Sequence, residues 1–179
     1  IGETSSFSIA AGAYAQYLDR IEVHWPVRVN LGPGSRVPLH ASASGKIFLS
    51  HMAKRGRERY LTQAPLIAHT HNTLTEPARI NAELAAVKDK GYALDHEEFL
   101  PGITCMAVPV RNNDNKVVGA LAMSAPVERL KGIDNLFKAM ALLKQHHPEW
   151  DWSKICLSVI GGDPSERGLR ENEEMARLH

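Results

Sequence analysis

Four short stretches carry the side chains best suited to meet a small molecule. Cys105 sits on an apolar run over residues 103–110, and Ser124 lies near the end of a second apolar run over 117–124. If the two runs form an antiparallel hairpin, both side chains can fall on one face, the thiol as a soft wall and the hydroxyl as a donor. Alone, such a cysteine is usually an ordinary small core residue. Asp95 ends an apolar segment just before the acidic loop that holds Glu97 and Glu98. A carboxylate there can accept from a ligand hydroxyl or pair with a donor, whereas Glu97 and Glu98 read as solvated or capping groups. The fourth stretch is His40-Ala-Ser-Ala-Ser-Gly-Lys46. Small residues at a helix start let a ligand approach the backbone, the free N–H groups attract anions, and Ser42 and Ser44 add hydroxyls. The same residues also suit a helix that packs its small face on a strand or another subunit. The Gly-x-x-x-x-Gly-Lys-Ser/Thr spacing of a phosphate loop is not there.

Other chemistries fit less well. A nucleophilic enzyme would pair Cys105 with His40 or His96, but no helix follows the cysteine and no glycine-rich elbow surrounds it. His69-x-His71 and His146-His147 invite a metal, yet no acid or cysteine spacing completes a site, so no metal and no cofactor are expected. The basic run Lys54, Arg55, Arg57 and Arg59 reads as a solvated helix face. Nucleic-acid contact would need a wider basic surface or stacking aromatics.

The elements that would position these residues are legible from periodicity. Residues 3–10 and 13–24 alternate as two strands of a hairpin turning at Ala11-Gly12, and Val27 and Val29 mark a shorter strand. After the loop at 31–35, a helix is expected over 38–52, with Leu39, Ala43, Ile47 and Phe48 on one face, then a short amphipathic segment ending near Gln63. Thr75-Glu-Pro-Ala opens another helix, with Thr75 as the cap, Ile80, Leu84 and Val87 as its stripe and Gly91 closing it. An extended segment begins at Tyr92 and runs to Asp95. The runs 103–110 and 117–124, joined by Asn112-Asn-Asp-Asn115, are expected as a central hairpin covered on both faces. A last helix carries Ile133, Leu136, Phe137, Met140 and Leu143, with Asp134 as a possible cap. Beyond Pro148 the character changes, with a candidate strand at 155–160 and a polar end. Hairpin connections imply a largely antiparallel sheet with helices packed on it, an α/β (α+β) architecture.

Length and composition fit one globular domain: 179 residues, 44% apolar, 23% charged, net charge +1. That balance gives no pull towards nucleic acid or an acidic membrane, and no apolar run reaches the ~20 residues of a membrane span. Two cysteines, Cys105 and Cys156, are too few for a disulfide scaffold and fit a reducing cytoplasm. The chain opens at Ile1 without a signal-peptide pattern, which suggests a piece of a longer protein.

Taken together, the pieces resemble the effector-binding domain of IclR-type transcriptional regulators. The resemblance runs from about Gly2-Glu-Thr to about Leu130. It rests on Tyr17-Leu-Asp-Arg-Ile-Glu22, Leu31-Gly-Pro-Gly-Ser-Arg-Val-Pro-Leu-His-Ala41, Gly45-Lys46, Gly91-Tyr-Ala-Leu-Asp-His-Glu-Glu98, Pro101-Gly-Ile-Thr-Cys-Met-Ala-Val-Pro109 and Ser124-Ala-Pro126. The resemblance implies a GAF/profilin-like domain over 1–147, followed by a tail of uncertain structure over 148–179. It implies a small-molecule effector, a carboxylic acid, bound by Ser42, Ala43, Ser44, Asp95, Ile103, Cys105, Ala122 and Ser124. It further implies a homodimer or dimer of dimers, no enzymatic activity, and operator DNA contacted only through a winged helix-turn-helix outside this sequence. Relatives that bind small oxo-acids have serine where this chain has Ala122 and glycine where it has Ala43, so that ligand does not transfer. A cysteine-dependent enzyme on the same scaffold is the alternative.

Overall fold

The computed structural model describes residues 3–22 and 31–127. Six strands form one sheet in the order β3-β2-β1-β6-β5-β4, and every pairing is antiparallel. The strands are β1 (Thr4–Ala11), β2 (Tyr14–Ile21), β3 (Arg36–Pro38), β4 (Ala93–His96), β5 (Ile103–Arg111) and β6 (Val117–Pro126). The helices are α1 (Ala43–His51), α2 (Lys54–Gln63) and α3 (Pro77–Lys90). α1 packs on β5 and β6 and against α3. The mixed α+β architecture expected from the hairpin signals is the one found.

The register explains why a site forms. Partners in an antiparallel pair share a face, so the pairings define rows that cross the sheet. One row runs Asp95–Cys105–Ser124–Thr4. The next runs Ala93–Ala107–Ala122–Ser6–Arg20. The second row is built of small side chains until it reaches Arg20. Small residues cannot fill the space beneath a helix, and α1 spans it with small residues of its own at its start.

Several expectations are corrected. The helix expected over 38–52 begins only at Ala43, because residues 36–38 pair with β2 as β3. β3 is an edge strand, where a proline without an N–H is tolerated. Ser42 then ends the intervening turn as the N-cap, its Oγ accepting from the Gly45 N–H. At α3 the cap residue is Glu76, not Thr75, and no side chain makes the capping bond. Pro77 opens the helix and Gly91 closes it at φ 80°. The turn before β6 puts Asn115 at φ 60°, as the Asn-rich sequence predicts. The β5–β6 hairpin is central but not covered on both faces: Val108, Val118 and Leu121 are exposed. Residues 69–72, which hold His69 and His71, form a bend and turn. The strand at Val27 and Val29, the helix carrying Ile133 to Leu143, the strand at 155–160 and the boundary after 147 lie outside the described residues. No helix among the described residues is long and apolar enough to cross a membrane.

Candidate functional site

The start of α1 stands over the paired rows of β6 and β5, and a hollow opens between them. Tyr17, Arg20, Leu31, Ser42, Ala43, Ser44, Asp95, Phe99, Leu100, Ile103, Cys105, Ala122 and Ser124 line it. Every residue singled out from the sequence as a ligand contact is among them. With its mouth the hollow measures about 440 Å³, yet the space clear of side chains is about 20 Å³. That is room for about one water, so a ligand must displace wall side chains to bind.

The lining groups differ in how they are occupied. Ser42 Oγ is committed to local structure: it donates to the Pro38 carbonyl at 2.7 Å and accepts from Gly45 N–H at 3.2 Å. Ser44, in the first turn of α1, is buried, and its Oγ has no hydrogen-bond partner. Leaving a buried hydroxyl unpaired costs on the order of 1–3 kcal/mol, so such a group calls for an explanation. Across the floor the Cys105 thiol donates to Ser124 Oγ at 3.2 Å.

Burial pushes the Cys105 thiol up to about 12, with the neighbouring Asp95 charge adding to the effect. A thiol held there supplies almost no thiolate at neutral pH, which is opposite to what a nucleophile needs. His40 cannot serve as its base either. Its Nε2–H donates to the Ile67 carbonyl at 3.0 Å, and its Nδ1 lies 3.2 Å from the Tyr60 hydroxyl. Burial holds the imidazole below its ordinary range.

Asp95 is buried at the junction of β4 and the wall loop. Its Oδ1 accepts from Glu98 N–H at 2.6 Å and more weakly from Phe99 N–H at 3.4 Å. Burial pushes its carboxyl up to about 7, helped by the Glu98 charge and opposed by those backbone donors and by Lys46. A folded-state pKa raised above the unfolded one stabilises the fold at low pH, and this contribution fades as pH rises through about 7. Between pH 4 and 7, wild-type stability should therefore fall with pH more steeply than that of Asp95→Asn, as denaturant titrations at several pH values would show. Parallel slopes would mean that Asp95 ionises normally.

The loop that presents Phe99 and Leu100 is pinned from several sides. Lys46, almost fully buried on α1, donates to Glu98 Oε1 at 2.5 Å and to the Leu94 carbonyl at 2.9 Å, with Glu83 Oε1 at 3.5 Å. Thr70 Oγ1 donates to the Glu97 carbonyl and Thr73 Oγ1 to the Glu98 carbonyl, both at 2.6 Å. His69 rests edge-on against the Phe99 ring at 5.1 Å. Glu98, expected to be solvated, is instead an anchor. Glu97 caps the loop, its Oε2 accepting from Gly102 N–H at 2.7 Å. Among the described residues no cluster of three or more His, Cys, Asp or Glu side chains could hold a metal ion.

Sequence reasoning missed Tyr17, Arg20, Leu31, Phe99 and Leu100. For Arg20 the reason is a bulge. Ser8 pairs with Tyr17 but Phe7 pairs with Asp19, so Leu18 is an extra residue on β2. Strict alternation puts positions 17 and 20 on opposite faces, and the bulge returns them to the same one.

The chain is similar to known proteins in sequence and in fold. The family model described as bacterial transcriptional regulator IclR C-terminal matches residues 1–146. SauR of Cupriavidus necator, named as a probable transcriptional regulator, is 39% identical over 130 residues, covering 73% of this chain and 52% of that protein. The HTH-type transcriptional regulator BhcR of Paracoccus denitrificans is 35% identical over 129 residues, covering 72% of this chain and 46% of that protein. The chain thus spans about half the length of the curated relatives it matches. Among solved structures, an IclR homolog from Microbacterium hydrocarbonoxydans complexed with 4-hydroxybenzoate superposes with a TM-score of 0.66 at 28% identity, covering 70% of this chain and 52% of that one. Relatives named as regulators and repressors give the cysteine-enzyme alternative no support.

Proposed function

The chain belongs to the IclR family of bacterial transcriptional regulators, and from that membership we propose that its hollow is the effector site of a sensor domain, specific for a small organic acid. The observation that carries the reading is Ser44. A buried hydroxyl without a partner, at the start of a helix and lining a hollow, is a donor in place for a ligand oxygen. The free N–H groups of the first turn favour an anion at the same spot. The bound 4-hydroxybenzoate of the Microbacterium relative supports an acid as the class.

In this reading the whole protein is cytoplasmic and carries a winged helix-turn-helix that contacts operator DNA, and the sensor works as a homodimer or dimer of dimers. An acid that binds one packing of the sensor better than another shifts that equilibrium, and the DNA-binding module responds.

The test is thermal-shift screening of the chain against small carboxylic acids. A binder raises the melting temperature in a concentration-dependent way. Ser44→Ala should weaken the best acid roughly tenfold or more, the usual range for a hydrogen bond to a charged group. The variant itself should melt no lower than wild type, since it loses only an unpaired hydroxyl and alanine is the better helix former. Undiminished affinity in Ser44→Ala, or a panel without a binder, would refute the reading.

A further inference from the structure

A second concavity lies at the other end of α1, away from the effector hollow. The last turn of α1, the end of β1 and the β5–β6 turn border it, and it holds about 470 Å³ of clear space against about 20 Å³ in the hollow. That size is ordinary for a small-molecule site. Phe48, Met52 and Val117 give it an apolar floor. Val117 reaches this face through a bulge: Val110 pairs with Gly119 but Arg111 pairs with Val117, so Val118 is the extra residue. The charged side chains of the lining are both cations, Arg111 and Lys116. Arg111 is held in place by neutral groups. The Ile47 carbonyl only accepts, so the His51 Nδ1 3.0 Å from it carries the proton. His51 Nε2 is then the acceptor for Arg111 Nη2 at 2.8 Å, and Arg111 Nη1 donates to the Asn115 carbonyl at 2.9 Å. Lys116 sits on a closed turn: its carbonyl accepts from Asn112 N–H at 3.0 Å, and its N–H donates to Asn112 Oδ1 at 2.9 Å. Among the described residues neither cation forms an ion pair with a carboxylate.

Two positioned, uncompensated cations beside an apolar floor complement a molecule with one anionic end and an apolar body. The lining numbers eight residues, far short of the roughly 20–30 a side that a protein interface uses, which fits a small occupant. We propose that this concavity is a second ligand site, taking a small amphipathic carboxylate. Its apolar body would lie on Phe48, Met52 and Val117, and its carboxylate between Arg111 and Lys116. Both cations are exposed, so their attraction for the anion weakens as salt is added. The site is separate from the effector hollow, and the proposal does not rest on the effector reading.

Amide-resolved NMR titration of the full chain with octanoate, kept below the concentration at which it forms micelles, tests this. Octanoate should shift the amides of Met52, Arg111, Lys116 and Val117 in a saturable way. Acetate, which lacks the body, and octanamide, which lacks the charge, should each bind at least about fivefold more weakly. Arg111→Gln should weaken octanoate by about fivefold while leaving octanamide unchanged, and Arg111→Lys should recover part of the loss. Lys116→Gln, on an exposed turn, should act in the same direction, and a dispersed spectrum shows that each variant is folded. Saturable shifts at these amides with that ranking support the site. The proposal is overturned by no octanoate shift at these amides, by octanamide binding as tightly as octanoate, or by an octanoate affinity unchanged in both Arg111→Gln and Lys116→Gln. It is overturned too by shifts here that follow protein concentration and not octanoate, which would mean that a second copy fills the concavity. Octanoate shifts confined to residues around Ser44 would also overturn it, while leaving the effector reading standing.

Discussion

Replacing Lys46 with methionine should cost about 3–5 kcal/mol of stability, the range found when one partner of a buried ion pair is removed. Methionine nearly preserves the volume, so a cavity is not the cause. The cost arises because Glu98 stays behind, 5% exposed, with its Oε2 already lacking a hydrogen bond. The Leu94 carbonyl loses its Lys46 donor as well. In thermal melts the loss corresponds to a fall of roughly 6–20 °C for a domain of this size. Adding Glu98→Gln should recover part of it, because the uncompensated charge is then gone, and that non-additivity is the signature of a direct pair. A loss in Lys46→Met below about 1 kcal/mol would mean that the pair is solvated and weak. Acid binding should weaken along with stability, since the loop that Glu98 anchors also presents Phe99 and Leu100 to the hollow.

The second large effect is expected at Gly45. On helix propensity alone, Gly45→Ala should stabilise α1 by about 1 kcal/mol. The packing decides otherwise. A Cβ at this position would lie 2.4 Å from both Cα and the carbonyl oxygen of Leu39, atoms of backbone that no rotamer change can move. Overpacking costs typically about 1–3 kcal/mol and more where the backbone is the obstacle. Net destabilisation of several kcal/mol by urea titration is therefore expected, with loss of acid binding as α1 is levered off Leu39. A variant as stable as wild type would show that α1 does not approach residue 39 this closely.

The fold was largely readable, because its signals are local. Strand alternation, the Asn-rich turn and the Pro77 and Gly91 helix ends act within a few residues, and the structure places each close to where periodicity puts it. β3 was missed because three residues are too few to show a period, and its pairing with β2 depends on the chain folding back. The site residues on α1, β4, β5 and β6 were reached through the resemblance and the small-residue pattern. Arg20 was hidden by the bulge at Leu18, and the buried role of Glu98 by Lys46, fifty-two positions away in sequence. No window along the chain contains either relationship.

The most direct test of the effector site is a crystal structure of the chain grown with the tightest acid from the thermal screen. The account predicts the acid lying over Ala122 and Ser124, an oxygen within hydrogen-bond distance of Ser44 Oγ, and Phe99 or Leu100 displaced to make room. An acid bound elsewhere on the domain, with this hollow still closed and Ser44 still unpartnered, would contradict it.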